Sequence, residues 1–341
     1  MPGKNIVVGG VEIRAGKTDT VDLPIANLYT HTSLNMPVHV VNGRHDGPTM
    51  FITSALHGDE LNGVEIIKRL LKRVTPKKLR GCVLAIPIVN VFGFLNQSRY
   101  LPDRRDLNRS FPGRETGSIA ARIANLVSTE IIGQSDFGID LHTAAVNRTN
   151  LPQIRANLSD PVVRKMADAF GAPVAIDAAV RDGTLRQYAS REGKPTLLYE
   201  CGEALRFDEL SIKAGVRGIL RVLRVLEMLP AAPPEKIVVE PTYANSTTWV
   251  RAPISGLVTA KCRLGQRVKS GQTLARINDP FGEIEVDVPA SVPGIVIGRS
   301  TSPLTHEGDA LVHLARFDDS QEAKATVDDF YEAHGQDTNW G

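Results

Sequence analysis

Strand-like and helical runs alternate through the first 230 residues of this chain, and that alternation limits what it can fold into. Phe51-Ile52-Thr53-Ser54-Ala55-Leu56 reads as a buried strand, and Leu61 to Val74 as an amphipathic helix with Val64, Ile67, Leu70, Leu71 and Val74 at helical spacing. Val83 to Val89, Asp136 to Leu141 and Thr196 to Tyr199 read as further strands. Ile119 to Ile132, Asp160 to Phe170 and Ile212 to Met228 read as helices. This pattern predicts an α/β domain with a mostly parallel or mixed sheet and helices on both faces.

Chemistry-bearing residues fall at the ends of the predicted strands, where open α/β sheets place their sites. His57 and Glu60, in His57-Gly58-Asp59-Glu60, follow the first strand, and His142 follows Asp136 to Leu141. Two imidazoles and one carboxylate, with a fourth position left for water, are the donor set of a catalytic zinc site, one ion per chain. Asp59 and Asp140 adjoin these ligands. Either could accept the second N–H of a ligating imidazole, or could cap a helix or turn. Glu200 ends the strand from Thr196. A carboxylate there is costly unless paired or functional, so a general base and a buried salt bridge are both open.

Between the two halves of the metal site lies Arg99-Tyr100-Leu101-Pro102-Asp103-Arg104-Arg105-Asp106-Leu107-Asn108-Arg109-Ser110-Phe111-Pro112-Gly113. Such an arginine-rich loop either recognises a carboxylate in bidentate fashion or is a solvated surface, and both readings are open. His-Gly-Asp-Glu, this segment, Asp140-Leu141-His142 and Leu198-Tyr199-Glu200-Cys201-Gly202, in that order, resemble the succinylglutamate desuccinylase and aspartoacylase family. The resemblance covers roughly residues 45 to 230. It implies the zinc carboxypeptidase fold, zinc on His57, Glu60 and His142, and Glu200 as general base. It also implies that Asn108 and Arg109 hold the substrate's α-carboxylate and that an upstream arginine polarises the scissile carbonyl. Arg99 matches that upstream position, with Arg104 as a rival because the segment is longer here. For a second substrate carboxylate, Arg191 is the nearer match and Arg186 the other candidate.

The resulting expectation is a zinc-dependent deacylase of N-acyl amino acids in amino acid metabolism. A small-peptide metallocarboxypeptidase is the alternative among enzymes, because both cleave an amide near a free carboxylate. A non-catalytic binding module with a residual metal site is the alternative of a different class. A net charge of +2 and 5% aromatic content give no sign of a nucleic-acid partner. The chain lacks an 18-residue apolar run and an apolar N-terminal stretch, so neither a membrane partner nor secretion is expected. Cys82, Cys201 and Cys262 are odd in number and unclustered, which suggests a reducing, cytoplasmic location. Sequence leaves a homo-oligomer open.

Past the linker Pro230-Ala231-Ala232-Pro233-Pro234 the pattern changes to short strands and turns. The segments from Ala252 to Val258, from Leu264 to Ile277 and from Val292 to Gly298 resemble lipoyl and biotinyl domains, which are small flattened β-barrels. Gly256, Gly265 and Gly271 would sit in tight turns. The hairpin Asn278-Asp279-Pro280-Phe281-Gly282-Glu283 has no lysine where those domains carry their cofactor, so no lipoate or biotin is expected. The expected organisation is a catalytic domain over 1–240, a small all-β domain over 241–318, and a tail over 319–341 that is either docked or disordered.

Overall fold

The computed structural model describes residues 2–178, 181–233, 237 and 239–335. Strands β1 (Ile6–Val8) and β2 (Val11–Ile13) form a small antiparallel ribbon. β3 (Thr18–Asn27) and β4 (Ser33–Asn42) form a long hairpin. Next come β5 (His45–Ser54), α1 (Asn62–Leu71), β6 (Arg80–Ile86), α2 (Val91–Leu95), α3 (Ile119–Val127) and β7 (Phe137–Ala144). β8 (Arg148–Ala156), α4 (Pro161–Phe170), β9 (Val174–Asp177), α5 (Leu185–Arg191), β10 (Thr196–Glu203) and α6 (Glu209–Val225) follow.

The sheet is mixed. β5 runs parallel to β6 and β7, and β10 lies between parallel β7 and antiparallel β8. On one face Ile66, Leu70, Phe170, Ile219 and Leu223 pack against Ile52, Ile139 and Tyr199. On the other, Ile123, Val127 and Leu185 pack against Phe51, Leu84 and Ile86. Helices therefore cover both faces, as the alternation predicts. α1, α3, α4 and α6 each bury one apolar stripe, and α4 also has clear end signals. Asp160 accepts from the amides of Val162 and Val163, Pro161 opens the first turn, and Gly171 closes the helix in the left-handed region (φ 74°).

Element ends differ from the sequence reading in one informative way. β7 continues past Leu141 to Ala144 and β10 past Tyr199 to Glu203, so His142 and Glu200 lie within strands rather than at their exits. β6 lies three residues earlier than predicted. Central strands buried on both faces are continuous apolar runs, and such runs do not mark their own ends. α3 stops at Val127 and continues as a single wide turn, Ser128–Ile132.

The C-terminal region holds β11 (Thr242–Ala244), β12 (Ser246–Arg251), β13 (Gly256–Ala260), β14 (Arg267–Val268), β15 (Thr273–Asn278), β16 (Glu285–Pro289), β17 (Gly294–Ser300), β18 (Leu304–Thr305) and β19 (Ala310–Arg316). β16, β15, β13 and β18 make an antiparallel sheet of their own. The remaining strands extend the main sheet. β17 pairs with β8, placing Gly298 opposite Asn150, and β19 and β12 add beyond it in the order β8-β17-β19-β12. β11 adds to β9. The second layer of the small unit is thus continuous with the main sheet. Gly265 and Gly271 take positive φ (74° and 81°) in turns, whereas Gly256, also expected in a turn, is the first residue of β13. Helix α7 (Ser320–Gly335) is docked, with Ala323, Val327 and Phe330 buried. The expected tail beyond residue 335, with Trp340, and Pro234 of the expected linker lie outside the described residues. Among the described residues no helix is long and apolar enough to cross a membrane.

Candidate active site

β5 ends at Ser54, and Ala55 turns the chain at positive φ (47°) toward His57. Gly58 is needed for close approach, because a Cβ there would lie 1.9 Å from the backbone of Gly93 in α2. Tucking this turn under α2 aims His57 and Glu60 at β7. There Glu60 meets both imidazoles: Oε1 is 2.7 Å from His57 Nδ1 and Oε2 is 2.7 Å from His142 Nδ1. The backbone amide of Thr143 also donates to Oε2 at 3.1 Å. All three side chains are buried, and one ligand atom from each lies within 4.8 Å of the others.

The outer nitrogens are held as well. His142 Nε2 is 2.8 Å from Asp140 Oδ2, and the Thr53 hydroxyl donates to Asp140 Oδ1 at 2.8 Å. His57 Nε2 is 3.2 Å from Asp106 Oδ1. Arg99 donates to Asp106 Oδ2 at 2.9 Å and places Nη1 3.5 Å from Glu60. Each ring thus faces a carboxylate on both sides. Burial alone would lower the pKa of each imidazole. For His57 the charge of Glu60 and the hydrogen bond to Asp106 outweigh burial, and for His142 the charges of Asp140 and Glu60 do, so both are raised. Burial works to raise the carboxyl of Glu60, but His57 and His142 hold it far below its ordinary range.

This arrangement tests whether a metal fits. Three carboxylates (Glu60, Asp106 and Asp140) surround the two rings and Arg99, whose Nη1 lies 3.2 Å from His57 Nδ1, balances one of them, so two further positive charges are called for beside the Nδ1 atoms. A divalent cation supplies the same charge at the same place and leaves the outer N–H groups on their aspartates. Two nitrogens and one carboxylate oxygen, with Asp140 and Asp106 behind the rings, suit zinc.

The cluster opens into a cleft of about 560 Å³. Glu200 lines it, and Asn150 Nδ2 donates to its Oε1 at 2.9 Å. Arg155 pairs with the other oxygen (Nε to Oε2, 2.8 Å), although poorly aligned for a hydrogen bond. Glu200 is therefore both an ion-pair partner and a cleft residue. Asn108 and Arg109 line the cleft from a short 3-10 turn, Leu107–Arg109. Asn108 is fixed because its Oδ1 accepts from the Leu185 amide at 2.9 Å. Gly183, at positive φ (77°), passes so near the Arg109 carbonyl that a Cβ would come within 2.7 Å.

Arg99 and Arg186 line the cleft, whereas two other arginines of the sequence reading do not. Arg104 sits exposed at the tip of a turn with positive φ (62°). Arg191 is exposed at the end of α5 beside Asp182. It lies five residues after Arg186, roughly 140° around the helix, and so points elsewhere. Asp59, expected behind His57, accepts nothing on its buried Oδ1, and burial followed by the charge of Glu60 raises its pKa. Asp106, not Asp59, meets the outer nitrogen of His57.

Sequence reasoning missed Asp106, Asn150, Arg148, Arg155, Arg181 and Trp249. Of these, Asp106 could have been found, since it lies inside the arginine-rich motif. The others reach the cleft through strand pairing or loop packing, which no local pattern marks.

The catalytic-domain profile of the succinylglutamate desuccinylase/aspartoacylase family matches residues 46–226, more than half of the chain. The chain belongs to that family. It is 28% identical over 309 residues to an N-alpha-acetyl-L-2,4-diaminobutyric acid deacetylase of Halomonas elongata, covering 86% of this chain and 89% of that one. A solved succinylglutamate desuccinylase/aspartoacylase from Rhodobacter sphaeroides shares the fold with a TM-score of 0.78 at 24% identity, covering 88% of this chain and 95% of that one. The product-bound ectoine utilization protein EutE (DoeB) from Ruegeria pomeroyi gives a TM-score of 0.80 at 24% identity, covering 89% and 97%. These likenesses run well beyond residue 226, so the mixed α/β fold with its C-terminal antiparallel strands is shared over nearly the whole length.

Proposed function

We propose that this protein is a zinc-dependent hydrolase that removes the acyl group from the amino nitrogen of an N-acyl amino acid. The observation that carries this reading is the placement of Glu200 in the same cleft as the His57–Glu60–His142 cluster and the Asn108–Arg109 pair. One cleft then offers a metal site, a base and an anchor for a carboxylate. Family membership and the deacetylase relative support the same reaction class.

When bound, zinc supplies a Lewis acid that makes water acidic and polarises a carbonyl. The residues of the chain perform the rest. Arg109, beside the fixed Asn108, binds the substrate's carboxylate and orients the amide. Arg99, anchored by Asp106, places a guanidinium beside Glu60, where negative charge develops on the carbonyl oxygen. Glu200 takes the proton of the attacking water and delivers it to the departing amine. Six arginines line the cleft (Arg99, Arg109, Arg148, Arg155, Arg181 and Arg186) against the carboxylates of Glu60 and Glu200, so an anionic substrate is favoured over a cationic one.

The test is a panel of N-acyl amino acids, with amine release followed for zinc-loaded and chelator-treated protein. Release that depends on zinc supports the reading. No release from any member by protein carrying about one zinc per chain contradicts it.

A further inference from the structure

We propose that Trp249, brought into the cleft by β12 and backed by His313, sets how long an acyl group the site accepts. This rests on the reading above, in which the substrate's carboxylate lies at Asn108–Arg109.

Strand order gives the direction. The metal cluster sits at β5 and β7, Glu200 on β10, Asn150 and Arg155 on β8, and Trp249 on β12 beyond β17 and β19. Among cleft-lining residues carried on strands, Trp249 is on the strand farthest from His57. Asn108 and Arg109 enter the cleft from the His57 side, following Asp106, whose carboxylate meets His57. An amide held between these flanks with its amine side toward Arg109 directs its acyl chain across Glu200 toward Trp249.

The indole is held firmly. Trp249 stands directly opposite His313 in the β12–β19 ladder, and the rings stack at 4.4 Å with 4° between planes. The guanidinium of Arg148 lies 5.2 Å from the centre of the indole ring. His313 is 5% exposed, and its Nδ1 has no hydrogen-bond partner. Burial, with Arg155 and Arg148 adding to it, pushes its pKa down to about 3. A neutral ring with an unpaired nitrogen offers a flat face for packing, so His313 is a positioning residue for Trp249. Cross-strand and stacked aromatic pairs of this kind are stabilising, which favours the observed placement of the indole.

The experiment compares kcat/KM on N-acetyl, N-butyryl and N-hexanoyl forms of one amino acid, taken as the parent's best N-acetyl substrate. Trp249→Ala is expected to raise the hexanoyl-to-acetyl ratio at least about fivefold, within the range that pocket shape commands. Trp249→Leu keeps an apolar side chain in place and serves if the alanine variant does not fold. His313→Leu is expected to shift the ratio the same way, and His313→Phe, which restores a stacking face, to return it. Zinc content should stay at the parent level throughout. A ratio in both Trp249 variants that stays within about fivefold of the parent, or falls, overturns the proposal while leaving the deacylase reading intact. A parent that cleaves no N-acyl amino acid overturns that reading, and this proposal with it.

Discussion

Asp140 and His142 point to the same side of β7, two residues apart, and the carboxylate of one lies 2.8 Å from Nε2 of the other. Alternation along a strand makes this contact automatic, and Thr53 on the neighbouring strand fixes the second oxygen of Asp140. Asp140→Asn is therefore expected to lower zinc affinity roughly 10–100-fold, the usual cost of losing a carboxylate behind a ligating imidazole. Competition with a chromogenic chelator measures it.

Asp106 and Asp59 make a contrasting pair. Asp106→Asn weakens the hold on His57 and on Arg99, so both zinc affinity and turnover should fall. Asp59→Asn changes a buried carboxyl whose Oδ1 has no hydrogen-bond partner and which does not meet either imidazole, and zinc affinity should stay within about threefold of the parent. Chelator competition on the two variants, side by side, tests the assignment. A larger loss in Asp59→Asn would reverse it.

Much of this site was legible because His57 and Glu60 are three residues apart and His142 ends a recognisable apolar run. The residues around the triad were not. Arg155 and Asn150 meet Glu200 only because β8 pairs antiparallel with β10, and Trp249 arrives only because β12 joins the same sheet through β19 and β17. Register between distant strands leaves no local trace in sequence. The fold class was readable from alternating periodicity, but the C-terminal unit looked separable because a proline-rich segment precedes it. Its strands instead complete the catalytic sheet.

That continuity changes what truncation should do. Removing residues from Pro241 onward strips β17 from β8 and β11 from β9, and uncovers Leu151, Val174 and Ile176. The truncated protein is expected to aggregate or lose its cooperative thermal transition rather than fold as a smaller enzyme. A monomeric, zinc-loaded truncation with a sharp transition would contradict this.

His313 predicts an acid-side loss of stability. Unfolded, its imidazole takes a proton below about 6.5, but in the fold only near pH 3. The unfolded state therefore binds more protons in between, and stability present above about 6.5 is lost as pH falls through that window. His313→Phe removes the titrating group and should flatten the decline, by up to roughly 3 kcal/mol near pH 4. Urea unfolding of parent and variant at several pH values measures it. Parallel pH curves would show that His313 is not responsible.

The most direct test of the account is Glu200→Gln. The amide fills the same space beside Asn150 and Arg155 but cannot take a proton from water at neutral pH. Zinc content and substrate affinity should be retained, and amine release from the parent's best N-acyl amino acid should fall roughly 10²-fold or more. Parent-level turnover in a folded, zinc-loaded Glu200→Gln protein would contradict the account.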